Sequence, residues 1–109
     1  MSKPKTLGRL EEKLLLALLH VGGESYAVPL AELVEHRTGR EVSPASSYIV
    51  LRRLERAGLL ESRVGDPRPE PGGRARRYFA ITPRAEAMLR TVRQESLSMW
   101  RGLESRLEK

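Results

Sequence analysis

At 109 residues the chain holds one domain and has no room for a second full core, and burial at this size is limited enough that oligomerisation is an expected source of extra stability. It has no cysteine, which excludes disulfides, thiolate metal sites and cysteine nucleophiles. Twenty basic residues stand against 14 acidic ones, giving a net charge of +6 and a pI near 10.3, a balance that favours polyanionic partners through counterion release. No apolar run reaches membrane-spanning length, and "MSKPKTLGRLEEK" lacks the apolar middle of a secretory signal; a cytoplasmic location without a membrane partner is therefore expected.

In chain order, Leu10, Leu14, Ala17, Leu18 and Val21 recur at helical spacing, with Glu11, Glu12 and Lys13 on the wet side, and "GGE" at 22–24 stops this first helix. A second helix is predicted over 27–37, with Leu30, Leu33 and Val34 facing inward and Pro29 tolerated in the first turn; Gly39 ends it. The third begins with Ser43 as N-cap and Pro44 at the first helical position and ends at Gly58. Projection at 3.6 residues per turn puts Ser47, Leu51, Leu54 and Gly58 on its buried face, flanked by Val50 and Ala57, and Ala45, Ile49, Arg52 and Arg56 on the opposite face.

Two β-prone stretches follow, "LLESRV" at 59–64 and "RRYFAI" at 76–81. The "GDPRPEPGGRA" between them is long for a hairpin loop and rich in Pro and Gly. Thr82-Pro83 then opens a last helix that is expected to run nearly to the C-terminus. On it Leu89, Val92, Ser96, Met99 and Leu103 form a short coiled-coil-like seam. The order reads as an α+β fold, mostly α: a helix-turn-helix of three helices, a two-stranded wing and a long C-terminal helix, divided as 1–82 and 83–109.

The reactive groups an enzyme needs do not converge in this sequence. His20 and His36 sit near the ends of separate helices with no cysteine or carboxylate at ligand spacing, so no metal is expected. The glycines form no phosphate-cradling pattern, and Ser43, Ser46 and Ser47 lack a nearby histidine. Neither catalysis nor a cofactor is expected.

What the sequence does offer is a charged reading element. A third helix set in a major groove brings Ser43, Ala45 and Ser46 nearest to base edges or phosphates, lets Ala45 and Ile49 touch thymine methyls, and lets Arg52 and Arg56 reach guanine or backbone. The plainer alternative is that Arg52, Arg53 and Arg56 solvate an exposed helix face, partly paired with Glu55. Between Arg52 and Arg77, however, eight arginines face four acids, a surplus of four on one helix and its adjacent hairpin. Alternation along the returning strand sends Arg76 to the side of Tyr78 and Arg77 to that of Phe79. Arg74 and Arg76 are therefore expected on phosphate, and Arg77 as a brace of the wing.

"EVSPASSYIVLRRLERAGLLESRV", followed by "GGRARRYFAITPRAEAML", resembles the PadR family of bacterial winged-helix regulators across roughly residues 10–95. The resemblance rests on the Ser-Pro start, Tyr48, "LRRLE" at 51–55, Gly58-Leu59, Glu61-Ser62, the Gly-Gly-Arg wing tip, the Arg-Arg-Tyr-Phe strand and the Thr-Pro opening of the last helix. The short length and single C-terminal helix are similar to the smaller PadR subgroup. The resemblance implies a homodimer built through the C-terminal helix, with the third helix in the major groove of double-stranded DNA and the wing on phosphate or minor groove. It places Ser43, Ser46 and Tyr48 at the DNA surface, with Tyr48 hydrogen-bonding a phosphate.

Two positions depart from the family pattern: Ser47 where many members carry an aliphatic residue, and Ile49 where many carry proline. Some PadR-like regulators use an aromatic of the last helix to sandwich flat apolar effectors at the dimer centre, a role open to Trp100; a plain interface or core tryptophan is the simpler reading. The function expected is a dimeric repressor on a pseudo-palindromic operator, released by a small apolar effector. A winged-helix protein–protein adaptor and a small-molecule-binding protein without specific DNA recognition are the alternatives.

Overall fold

The computed structural model describes residues 7–65 and 76–108. Along the chain run α1 (Arg9–His20), β1 (Glu24–Ser25), α2 (Ala27–Thr38), α3 (Pro44–Arg56), β2 (Leu60–Val64), β3 (Arg77–Ile81), α4 (Pro83–Trp100) and α5 (Glu104–Leu107). The three leading helices and the sheet enclose one core, in which Leu14, Leu15, Leu18, Leu30, Leu51, Leu54, Leu59, Leu60 and Phe79 are all buried. Among the described residues no helix is long and apolar enough to cross a membrane.

The local signals explain the helix ends. Ser43 Oγ accepts from Ser46 N at 2.9 Å and Thr82 Oγ1 accepts from Ala85 N at 3.2 Å, each with proline at the start of its helix. Thr82 Oγ1 also donates toward Leu59 O at 3.1 Å, tying the start of α4 to the end of α3. Gly58, at φ +82, closes α3: its N–H bonds Glu55 O at 3.0 Å while Leu59 N bonds Leu54 O at 3.0 Å. This paired 5→2 and 6→1 closure places Leu59 back on Leu54 in the core and requires a left-handed residue between them.

The sheet is antiparallel, in the order β1-β3-β2. β2 and β3 are the expected hairpin, whereas β1 makes it three-stranded rather than two-stranded. Ser25 pairs with Phe79 and Glu24 with Ala80, so "ES", directly after the glycine turn, caps the outer edge of β3. Two residues show no alternation, which is why this strand leaves no trace in the sequence pattern.

The last helix is also shorter than expected. α4 ends at Trp100, Gly102 turns to φ +91 and the chain resumes as the short α5, so Leu103 lies beyond α4 rather than on its seam. Ala85 and Leu89, in the first turns of α4, are buried in the core, Val92 is half-buried, and Ser96, Met99, Trp100 and Leu103 are exposed.

Among the described residues Ser47 is the one buried polar side chain. It is fully buried on the inward face of α3, and its Oγ has no hydrogen-bond partner among those residues. A buried hydroxyl without a partner costs about 1–3 kcal/mol. Ser47→Ala is therefore expected to stabilise the fold by about 1 kcal/mol, a rise of roughly 4–8 °C in melting temperature. A thermal melt showing a fall would mean that the hydroxyl is satisfied.

Candidate nucleic-acid interface

The sequence of α3 sorts its side chains as the helical period requires. Ser47, Leu51 and Leu54 are buried, Val50 is half-buried, and Ala45, Ser46, Ile49, Arg53 and Arg56 are exposed, Ile49 to 57%. Ile49 thus stands out of the core beside Ala45 and Arg56, on the face that a partner molecule would meet. Arg56 forms no ion pair or hydrogen bond among the described residues. Ser43 is exposed with its oxygen engaged in the cap.

Tyr48 and Arg52 sit on the edge of this face and belong to a closed polar ring joining α3 to the hairpin. Arg52 Nη1 donates to Tyr48 Oη at 3.1 Å, and Arg52 Nε lies 3.3 Å from Glu55 Oε1. Ser62 Oγ, on β2, donates to Glu55 Oε2 at 2.6 Å, and Arg77 Nη1, on β3, donates to Ser62 Oγ at 2.8 Å. The Arg77 guanidinium also lies near enough to the Tyr48 phenol to favour its ionised form, which brings the ring back to α3. Beneath it the Tyr48 ring meets the buried Phe79 ring edge-on, 5.9 Å between centroids. Partial burial pushes the Tyr48 phenol up, but the hydrogen bonds and charges of Arg52 and Arg77 outweigh it, so it titrates below its ordinary 10.0. Because Oη accepts from a guanidinium, its own proton is left to donate outward, and an acidified phenol donates more strongly.

A second cluster covers the outer face of the sheet. Arg76 stacks over the Tyr26 ring at 4.2 Å, Tyr26 meets Tyr78 edge-on at 5.5 Å, and Arg63 stacks over Tyr78 at 4.8 Å. Arg63 also grips Glu24 through Nε and Nη2 at 3.0 and 3.3 Å. Each stack contributes about 0.5–1 kcal/mol at an exposed site, and together they fix the base of the wing to the start of α2. Gly65 allows the close approach, since a Cβ there would lie 2.8 Å from the Tyr78 ring.

Of the sequence-expected interface residues, Ser43, Ala45, Ser46, Tyr48, Ile49, Arg52 and Arg56 all lie on or at the edge of one α3 face. Arg76 lies across the sheet, on Tyr26, and Arg74 falls outside the described residues. Ser62, Tyr26 and Arg63 were given no individual role in the sequence, and Glu55 only a partial pairing with the α3 arginines. Glu55 and Ser62 are the motif positions in "LRRLE" and "GLLES", and their hydrogen bond is the signal that spacing alone conceals. His20 and His36 are exposed, and among the described residues no group of three His, Cys, Asp or Glu side chains could hold a metal.

Residues 15–91 match the model of the transcriptional regulator PadR-like family. A PadR family transcription regulator from Clostridium difficile R20291 is similar in structure at a TM-score of 0.72 and 22% identity, covering 93% of this chain and 100% of that one. A PadR family regulator from Eggerthella lenta gives 0.66 and 25% identity, covering 88% and 81%. The winged-helix DNA-binding protein F93 from STIV gives 0.66 at 13% identity, covering 89% and 98%. No curated protein matches the chain. With a match over most of its length, and with the motif residues forming the joint between helix and hairpin, the chain belongs to the PadR-like family of transcriptional regulators.

Proposed function

We propose that the protein is a homodimeric, sequence-specific DNA-binding repressor. The observation that carries this reading is the polar ring of Tyr48, Arg52, Glu55, Ser62 and Arg77, which holds an exposed α3 face and a basic hairpin in one orientation. Ala45, Ser46, Ile49 and Arg56 enter the major groove, Tyr48 donates to a phosphate, and Arg74 and Arg76 grip the backbone from the wing. Arg52, spent on Tyr48 and Glu55, aims the phenol as much as it contacts DNA itself. The unit that reads DNA ends near residue 82, and residues 83–109 carry dimerisation.

Leu16, Leu19, Leu97, Met99, Trp100 and Leu103 support the dimer. All are exposed, and Leu16, Leu19 and Leu97 line a cleft of about 460 Å³ between α1 and α4. Within the seam Val92, Ser96 and Met99 are available to a partner, as is Leu103 beyond the end of α4, while Leu89 serves mainly the chain's own core. Trp100, half-exposed on this surface, is where a flat apolar effector would bind and release the operator, by favouring one dimer geometry over the other. The site of action is the cytoplasm.

Duplex-binding titrations at several salt concentrations test the DNA reading. Affinity is expected to fall steeply with salt, by roughly 10³-fold or more between 50 and 200 mM for a protein making six or more phosphate contacts. An affinity indifferent to salt would instead favour a protein–protein adaptor.

A further inference from the structure

Among the described residues the hairpin flanks α3 on one side only. Tyr48, Arg52 and Glu55 point to the hairpin, so Ser46 and Arg53 lie about 140–160° around the helix from Tyr48. On that far side Arg53 Nη1 lies 3.9 Å from Glu11 of α1. There the start of α1, the α2–α3 turn and the N-terminus of α3 enclose a cleft of about 780 Å³. Its floor includes Leu10, Val34 and Val42; Arg9, Lys13 and Arg40 line it together with Ser43 and Ser46.

Two of these cations, both on α1, sit against local stability. Arg9 occupies the first position of α1, where the helix dipole disfavours positive charge, and Lys13 follows four residues on, a like-charge pair on one helix face. None of the three forms an ion pair or side-chain hydrogen bond among the described residues. Two acids also line the cleft, Glu35, which accepts from Val42 N at 3.1 Å, and Glu41, so its three cations outnumber its carboxylates by one. Arg9 and Lys13, placed where their helix does not want them, and Arg40, lining the same cleft beside the reading helix, are accounted for by an anion that comes from outside.

We propose that this cleft receives a DNA backbone phosphate on the groove wall opposite the one met by the wing, so that α3 is held from both sides. The inference rests on the DNA-binding reading and adds Arg9, Lys13 and Arg40 to it. A helix lying in a groove about 12 Å wide has a phosphate strand on each flank, and the cleft is where the second strand passes.

The full-length variant R9Q/K13Q/R40Q tests this. The slope of log affinity against log salt is expected to fall by about 2–3, and affinity near physiological salt to drop by a factor on the order of 10². The ranking of duplex sequences stays the same, because phosphates carry no sequence. The charge-preserving R9K/R40K retains the wild-type slope. The side chains are not in the core and two of their charges oppose α1, so thermal melting of the variant stays at or slightly above the wild-type value. If wild type binds duplex with a steep salt slope and the triple variant keeps that slope, the clamp is wrong while the DNA reading stands. If wild type shows no salt-dependent duplex binding, both fall. Stabilisation by inorganic phosphate that the variant loses, with an unchanged duplex slope, would make the cleft a free-anion site and overturn the proposal.

Discussion

Phe79→Ala is expected to cost about 3–5 kcal/mol, the most damaging single truncation in the molecule. The side chain is completely buried, and it is shared by every layer of the fold. It belongs to the same core as α1 and α3, pairs with Ser25 on one edge and Ser62 on the other, and supports the Tyr48 ring edge-on. A domain of this size has roughly 5–15 kcal/mol in total, so the loss leaves it marginal. A thermal melt should show the midpoint falling by more than about 10 °C. A shift under about 4 °C would mean that the core closes without this ring, and that the wing is not anchored through it.

Glu55→Ala sets the polar ring against simple charge. The substitution removes an acid from a protein of net charge +6, so an account based on overall electrostatics expects tighter DNA binding. The opposite is expected here. Glu55 is the only carboxylate in the ring, accepting from Ser62 and pairing with Arg52. Without it Arg52 no longer holds Tyr48, and β2 loses its link to α3. The wing must then be ordered on binding rather than before it, a cost that appears as lost affinity. Since Glu55 is partly exposed, the effect is set at about 1–2 kcal/mol, a roughly 5–30-fold weaker complex. Glu55→Gln, whose amide oxygen still accepts from Ser62, should recover part of it. Fluorescence anisotropy with a labelled duplex measures both, and tighter binding by Glu55→Ala would refute the role of the ring.

Much of this architecture is visible in the sequence because it depends on local chemistry. Ser43-Pro44 and Thr82-Pro83 mark helix starts by their capping oxygens, and Gly58 marks an end by its backbone freedom. The buried face of α3 follows from Ser47, Leu51 and Leu54 at helical spacing. What escapes is long-range pairing. Counting arginines between residues 52 and 77 gives a surplus of positive charge, yet Arg52, Arg63, Arg76 and Arg77 all engage partners within the chain. Those partners, Tyr48, Glu24, Tyr26 and Ser62, lie up to 50 residues away from them in the sequence. β1 escapes because two residues have no period, and the end of α4 because the 3-4 spacing from Leu89 to Leu103 continues in the text after Gly102 has broken the helix.

The division of labour among the arginines follows from this. Arg52 and Arg77 hold the joint, Arg63 holds the wing base, Arg76 is shared between Tyr26 and the phosphate proposed for it, and Arg56 faces outward. A positive surface on a winged helix is thus partly a framework, and only some of its charge is available to phosphate.

The most direct test of the central claim is selection of bound duplexes from a random pool. A dimer presenting two α3 helices predicts an enriched motif of two inverted half-sites, with centres about 34–36 Å apart or a multiple of that. A pool that remains random after repeated rounds would contradict sequence-specific recognition, and a single unpaired half-site would contradict the dimer.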